Sequence, residues 1–194
     1  MAPSRRGADP RCVIVTGMPG AGKSTVTKLL AGELPRAARI SGDVVADMVL
    51  GGRVWALGEP VDEAAAQVAL THRNVAALAQ NTTAAGFTAV IDIVLETPAE
   101  LAILTDSLKC DWLLVVLAPT IDVCRSRNAG RDEAERWTFA NYGGLAAQMR
   151  RSFEGSGYWI DTSDLKPQDV VEEIRCQMNQ NLQPTGGEST RPSR

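Results

Sequence analysis

Gly17-Met18-Pro19-Gly20-Ala21-Gly22-Lys23-Ser24-Thr25 is the stretch that decides the fold. It follows the apolar run Cys12-Val13-Ile14-Val15 and opens a helical pattern from Val26 to Leu34. A G-x-x-x-x-G-K-[ST] spacing between a strand and a helix predicts a glycine-rich loop whose N–H groups point inward at phosphate oxygens. The positive end of the following helix adds to that attraction. We call residues 17–25 the phosphate loop, and it predicts a nucleotide site.

The phosphate loop assigns an expected role to each of its residues. Lys23 would reach the β- and γ-phosphates, Ser24 would offer its hydroxyl to Mg²⁺, and Thr25 would reach the α-phosphate. The alternative is an ordinary glycine-rich turn with an exposed lysine. A chance match to the four defined positions of the pattern arises in only about one such chain in a hundred. The predicted nucleotide-binding set is Gly17, Met18, Pro19, Gly20, Ala21, Gly22, Lys23, Ser24 and Thr25.

The composition is that of one ordinary globular domain. The chain has 194 residues, of which 44% are hydrophobic and 22% are charged, and its net charge is −3. That charge gives no general attraction to nucleic acid or to an anionic membrane, so we expect neither as a partner. The four cysteines are far apart with no C-x-x-C spacing, which favours free thiols in a reducing, cytoplasmic setting.

Apolar, β-branched runs alternate with helical patterns along the chain, which predicts an α/β fold with a five-stranded parallel sheet covered on both faces. Residues 1–10 resemble a flexible leader, residues 11–180 form the predicted domain, and residues 181–194 resemble a disordered tail. No run approaches the 18 or so apolar residues of a membrane span. The predicted strands cover residues 12–16, 37–41, 88–94, 112–118 and 157–161.

Two aspartates follow predicted strands. Asp43 comes after the second strand, and because the carboxyl ends of parallel strands meet at one edge, it would emerge near the phosphate loop. There it could accept the proton of an acceptor hydroxyl, although N-capping a helix from Val44 to Leu50 is the structural alternative. Asp92 ends an apolar run, where a buried carboxylate needs compensation, so we expect it to bind metal or substrate.

An arginine-rich segment after the fourth strand predicts a mobile lid over about residues 125–150. Guanidinium groups at this spacing can bind phosphate oxygens and stabilise charge during phosphoryl transfer. Arg127 and Arg131 are the strongest candidates, with Arg136 further on. The alternative is a solvated pair of helices with surface ion pairs. Trp137, Phe139 and Tyr142 would either shield the closed site from water or pack in the core.

The lone histidine and two loops are further features near the predicted site. The lone histidine, His72, lies on the predicted buried face of a helix over residues 61–85, with Val61, Ala65, Val68, Val75 and Ala79, and we expect it to be structural. Residues 51–60, which include Trp55, either cover an acceptor near Asp43 or form a plain connection. The loop over residues 162–165 lies where an adenine ring could rest.

These landmarks together resemble the small phosphate-loop kinases, over about residues 11–180. The likeness covers shikimate and gluconate kinases, nucleoside monophosphate kinases, chloramphenicol phosphotransferase and the tunicamycin-resistance ATP-binding protein. It implies a three-layer α/β/α fold with strand order 2-3-1-4-5, an arginine-bearing lid, and use of ATP with Mg²⁺. By the same likeness, Asp43 matches the acid that activates the acceptor, and Arg127 and Arg131 match lid arginines. No strong substrate fingerprint of a metabolic kinase is present in the acceptor region.

Three functions remain open from the sequence. The first is an ATP-dependent kinase (an ATP:alcohol phosphotransferase) of a small hydroxylated molecule such as an antibiotic or secondary metabolite, with Lys23, Asp43, Arg127 and Arg131 in catalysis and Ser24 and Asp92 at the metal. The second is a kinase of a nucleotide, nucleotide-sugar or polynucleotide end. The third is a non-enzymatic ATP-binding switch, which would need no acceptor base. The oligomeric state is expected to be a monomer or a homodimer.

Overall fold

The computed structural model describes residues 12–131 and 140–180. The predicted leader and tail lie outside these residues, as do residues 132–139 of the predicted lid. Strands and helices alternate through the described part of the chain. They are β1 (Cys12–Gly17), α1 (Lys23–Glu33), β2 (Ala37–Ser41), α2 (Gly42–Ala46), α3 (Val61–Ala84), β3 (Thr88–Asp92), α4 (Pro98–Thr105), β4 (Trp112–Leu117), α5 (Ile121–Ala129), α6 (Tyr142–Phe153), β5 (Tyr158–Ile160) and α7 (Pro167–Gln180).

The five strands form one parallel sheet in the order β2-β3-β1-β4-β5. The prediction of a parallel sheet and the implied strand order are therefore confirmed. Every residue of the central strand β1 is buried, as expected of a strand covered by helices on both faces. Because β1 lies between β3 and β4, the phosphate loop that follows it emerges at the middle of the sheet edge.

The helices cover both faces of the sheet because the chain changes direction once. It moves from β1 outward to β2, and the later crossovers run the opposite way across the sheet. Since parallel crossovers are right-handed, α1 must lie on one face and the later crossover helices on the other. Helix α7 packs against α1, and α3 packs against α4, which completes the two helical layers.

The helix predicted over residues 61–85 is α3, but its apolar stripe is only half buried. His72, Val75 and Ala79 are buried, whereas Val61 at the start of the helix is 65% exposed. The first turns contact the preceding loop instead of the core: the Gln67 side chain donates to Gly52 O at 2.8 Å and accepts from Val54 N at 3.0 Å. Periodicity predicted the helix correctly and the burial of its first turns wrongly.

The helix predicted from Val44 to Leu50 begins and ends earlier. Helix α2 starts at Gly42 and ends at Ala46, after which Met48 and Val49 bond three residues back rather than four. This tightening closes the helix before the Gly51-Gly52 pair. As a result Asp43 lies in the first turn of α2, and the N-cap position belongs to Ser41.

Every helix in the described part of the chain is too short or too polar to span a lipid bilayer.

Candidate functional site

The phosphate loop turns sharply between β1 and α1, and two of its glycines adopt backbone angles that other residues avoid. Gly20 has φ +83° and Gly22 has φ +98°. Gly20 also lies against α5: a Cβ built there would lie 3.0 Å from the Cys124 carbonyl carbon and closer still to its oxygen. Only glycine fits this position, since both partners in the contact are backbone. The loop is therefore held between α1 and the helix that follows β4.

Lys23 closes the phosphate loop on itself. Its Nζ donates to Gly17 O at 2.8 Å and to Met18 O at 3.1 Å. Burial lowers the pKa of Lys23, while the negative charges of Asp92 and Asp43 act in the opposite direction. The ammonium group thus lies at the base of the loop with two carboxylates close enough to influence its charge.

A cleft opens beside the loop and brings together residues that are far apart in the sequence. Lys23 and Ser24 lie on one side, Asp43 of α2 lies on another, and Arg131 follows α5. Seven of the eight residues around this cavity, all except Val94, belong to the site predicted from the sequence. The full lining is Pro19, Gly20, Gly22, Lys23, Ser24, Asp43, Val94 and Arg131.

Asp43 lines this cleft, with part of its side chain open to solvent, and does not occupy the N-cap position of α2. That position belongs to Ser41, whose side chain makes no capping hydrogen bond, and Asp43 lies in the first turn. Burial by the surrounding protein raises the pKa of Asp43, and the Lys23 charge lowers it. A carboxylate with a raised pKa beside an ammonium group is suited to accept a proton from a nearby hydroxyl.

Asp92 lies apart from the cleft lining. Its side chain is only 3% exposed, and its Oδ2 accepts from Arg39 Nη2 at 2.6 Å. Arg39 Nε also donates to Thr27 Oγ1 at 2.9 Å, in α1. Arg39 was not among the predicted site residues, because it lies on the edge strand β2, whose first three residues are only partly buried or exposed, so its position in the sequence does not indicate a buried partner.

The two lid arginines differ in their surroundings. Arg127 Nη2 donates to Thr162 O at 2.7 Å, and its Nη1 lies 3.4 Å from Ala21 O and from Thr162 Oγ1. Arg127 therefore joins α5, the phosphate loop and the loop after β5, where an adenine ring was expected to rest. Arg131 instead lines the cleft.

The remaining candidates sit at the margins of the site. Met18 and Ala21 have buried side chains, so only their backbone faces the loop interior, and Thr25 is exposed outside the cleft lining. Tyr142 is 2% exposed, in keeping with core packing. The candidates Arg136, Trp137 and Phe139 lie outside the described residues.

His72 and Trp55 do not line the cleft in the described structure. His72 is 3% exposed and bonds to the backbone of Val94, and burial lowers its pKa. It supports the strand end that forms one wall of the cleft. The Trp55 side chain is 42% exposed.

The donors around the cleft fit a magnesium ion that arrives with a nucleotide. Residues 12–131 and 140–180 contain no group of three or more His, Cys, Asp or Glu side chains able to hold a metal by themselves. Mg²⁺ typically keeps several waters and takes only one or two protein ligands in addition to phosphate oxygens. A single hydroxyl such as that of Ser24, with an aspartate nearby, is compatible with that coordination.

Comparison with solved structures gives the same fold. A sugar kinase from Janibacter sp. HTCC2649, solved without ligand, is similar with a TM-score of 0.68 at 16% identity, covering 88% of this chain and 95% of its own. A shikimate kinase from Acinetobacter baumannii in complex with shikimate gives 0.60 at 17%, covering 90% and 96%. The tunicamycin resistance protein of Deinococcus radiodurans gives 0.59 at 18%, covering 88% and 95%.

These neighbours confirm the resemblance to phosphate-loop kinases at the level of the fold. No curated protein sequence matches the chain. A family model described as an AAA domain matches residues 12–155, well over half of the chain. Together with the phosphate loop and the sheet order, that match shows that the chain belongs to the AAA domain family.

Proposed function

We propose that this protein is an ATP-dependent phosphotransferase that phosphorylates a hydroxyl group of a small molecule. One observation carries the proposal: Lys23 of the phosphate loop and Asp43 of α2 line the same cleft, together with Arg131. A protein that only bound a nucleotide would need the lysine but not a carboxylate opposite it. Two cations and one potential base around a cavity match the requirements of phosphoryl transfer.

In the proposed reaction Asp43 acts on the acceptor. Its carboxylate takes the proton as the acceptor O–H bond breaks, and the acceptor oxygen forms a new bond to the γ-phosphorus. The bond from that phosphorus to the β–γ bridging oxygen breaks, so ADP is the leaving group. Lys23 and Arg131 stabilise the negative charge on the transferred group, which is the largest contribution a protein makes to this chemistry.

Other residues hold the nucleotide. The N–H groups of the phosphate loop and the start of α1 bind phosphate oxygens, and Thr25 contributes at the α-phosphate. Arg127, which donates to Thr162 O, would lie beside an adenine ring resting on the loop over residues 162–165. Ser24 would offer its hydroxyl to Mg²⁺, which when bound would neutralise phosphate charge. Asp92 lies outside the cleft lining and would influence the ion through its charge.

The acceptor we propose is an antibiotic or a secondary metabolite. Two facts support this class: the acceptor region has no fingerprint of a metabolic kinase, and one structural neighbour is named a tunicamycin resistance protein. We further propose a cytoplasmic protein, monomeric or homodimeric, whose lid extends over about residues 125–150.

Mass spectrometry of a panel of antibiotics and metabolites, incubated with protein, ATP and Mg²⁺, tests the proposal. The expected result is one acceptor that gains a single phosphoryl group. Asp43→Asn should keep ATP binding and lower turnover by about 10²–10⁴. Lys23→Ala should lower turnover by at least about 10². Asp47→Asn is the matched control, because Asp47 lies one turn along and pairs with Arg53 instead of lining the cleft.

Two results would assign the protein a different function. A nucleotide or a polynucleotide end as the phosphorylated acceptor would move the function to the second class considered. A protein whose ATP hydrolysis no acceptor stimulates, and which binds a protein partner only in the ATP form, would be a switch. Turnover unchanged in Asp43→Asn would remove Asp43 from catalysis.

A further inference from the structure

A chain of side-chain contacts runs under the phosphate loop from the end of β3 to α1. Asp92 is buried, and Arg39 reaches it across the sheet surface from β2 with an Nη2–Oδ2 distance of 2.6 Å. In the sheet register Ser41 lies opposite Asp92, so residues 39 and 92 share one face. Pairing is required here, because an unpaired carboxylate at such burial would be strongly disfavoured.

The guanidinium of Arg39 also makes a second contact. Its Nε donates to Thr27 Oγ1 at 2.9 Å, and Thr27 Oγ1 donates to Ser24 O at 3.3 Å. Thr27 is fully buried in the turn of α1 that follows the phosphate loop. Arg39 therefore links the Asp92 carboxylate to the turn that carries Ser24, the hydroxyl assigned to Mg²⁺ above.

The charge of Asp92 also reaches the phosphate loop. Burial lowers the pKa of Lys23, and the first opposing influence on that pKa is the Asp92 charge. Asp92 thus influences Lys23 through its charge and is tied through Arg39 to the helix that carries Ser24, so one carboxylate is linked to the loop lysine and to the hydroxyl proposed for Mg²⁺. Its position depends on a planar group with two separate contacts, which arginine provides and lysine does not.

We propose that Arg39 is a positioning residue that holds Asp92 against the first turn of α1 and thereby sets how strongly Mg²⁺ enhances nucleotide binding. This inference rests on the proposed function, because it requires a nucleotide that binds with Mg²⁺. Arg39 itself contacts neither nucleotide nor acceptor in this scheme. If the ion pair were purely structural, its loss would lower the stability of the fold and would not change how strongly Mg²⁺ enhances nucleotide binding.

Two variants separate these possibilities without leaving Asp92 unpaired. Arg39→Lys keeps the positive charge but cannot hold Asp92 and Thr27 at once. Thr27→Val removes the hydroxyl acceptor in α1 while leaving Arg39 and Asp92 intact. Arg36→Lys is the matched control: Arg36 lies just before β2, stacks on the Phe87 ring at 4.3 Å and bonds to Ala85 O.

The measurement is the ATP dissociation constant by calorimetry, once with excess Mg²⁺ and once with EDTA. The ratio of the two constants gives the enhancement by Mg²⁺. In Arg39→Lys and Thr27→Val we expect that ratio to fall by about tenfold, the lower end of the effect of losing an outer-shell group, because both variants release Asp92 from its position beside α1. The constant in EDTA should stay near the wild-type value, and Arg36→Lys should match wild type in both conditions.

The outcomes are distinguishable. A lowered melting temperature with an unchanged ratio makes the pair structural only and overturns the inference, while the proposed function stands. An equal loss of affinity in Mg²⁺ and in EDTA also overturns it, because Arg39 would then shape the loop and not the ion site. If the wild-type protein binds no ATP in either condition, both proposals fail.

Discussion

The contact between Gly20 and helix α5 makes a quantitative prediction about the phosphate loop. In Gly20→Ala the new methyl group would meet the Cys124 carbonyl, lying 3.0 Å from its carbon and 3.1 Å from its Cα. Both atoms are backbone in a helix, so the neighbour cannot move aside as a flexible side chain would. Gly86 provides the control, since its φ of +80° nearly equals the +83° of Gly20, yet no atom lies within 4 Å of a Cβ built there.

Both substitutions destabilise the fold through the backbone angle, and Gly20→Ala has a second destabilising effect. An alanine at positive φ costs about 1–2 kcal/mol at either position. The backbone clash adds about 1–3 kcal/mol at Gly20 alone, as for other overpacked sites. We therefore expect the free energy of unfolding to fall by about 2–5 kcal/mol in Gly20→Ala and by only about 1–2 kcal/mol in Gly86→Ala.

Urea denaturation of the two variants and the wild type measures this difference. With a slope of about 2 kcal/mol per molar urea, the midpoints of the two variants should differ by about 0.5–1.5 M. Calorimetry should show that Gly20→Ala has lost ATP affinity, because relieving the clash displaces the loop, while Gly86→Ala keeps it. Equal midpoints for the two variants would refute the close packing of α5 on the phosphate loop.

Three other predictions follow from burial and charge. The acid limb of the pH profile of kcat/KM should have its midpoint above about 4, the ordinary pKa of aspartate, because burial raises the pKa of Asp43. The base form of Asp43 is lost as the pH falls through that pKa, and activity falls with it. A profile flat down to about pH 4 would contradict this. Gly32→Ala in the last turn of α1 has open space around the new methyl group and should stabilise the fold by about 0.5–1 kcal/mol in urea denaturation, so a lower midpoint would count against the helix bounds. A thiol reagent should label the exposed Cys176 first and Cys12 only on unfolding, since burial raises the pKa of Cys12 to about 12 and the thiolate is the reactive form. Cys176→Ser should remove the fast phase, and its persistence would contradict the assigned burial.

The phosphate loop and Asp43 could be located from the sequence because their signals are local. The spacing of its glycines and lysine identifies the loop, and Asp43 comes shortly after a strand that ends at the same sheet edge. The sheet order could be expected only from the resemblance, since strand runs alone do not say which strands are neighbours. Val61 illustrates the limit for helices: its periodicity matched the buried stripe, yet it is 65% exposed, and the first turns of α3 contact the preceding loop, which periodicity does not predict.

Arg39 could not be found in the same way. It lies 53 residues from Asp92, and their contact depends on β2 pairing with β3 in one particular register. The need of a buried Asp92 for compensation was used to predict a metal or substrate role, which stays a prediction; the structure shows that Arg39 pairs with it, and the sequence does not identify that partner. Long-range ion pairs are fixed by topology, and a single sequence carries no direct signal for them.

Under the proposed function, the opposite charges of Lys23 and Asp43, which line one cleft, serve a phosphate group and its acceptor. Burial shifts the pKa of Lys23 downward and that of Asp43 upward, so the protein environment alone pushes both groups toward their neutral forms. Among the described residues, two of the three N–H groups of Lys23 have acceptors, Gly17 O and Met18 O, so one donor is left for a ligand. A phosphate oxygen there would stabilise the ammonium form without breaking the contacts that shape the loop. The same negative charge would raise the pKa of Asp43 further, which strengthens it as a base at the point where an acceptor hydroxyl must lose its proton.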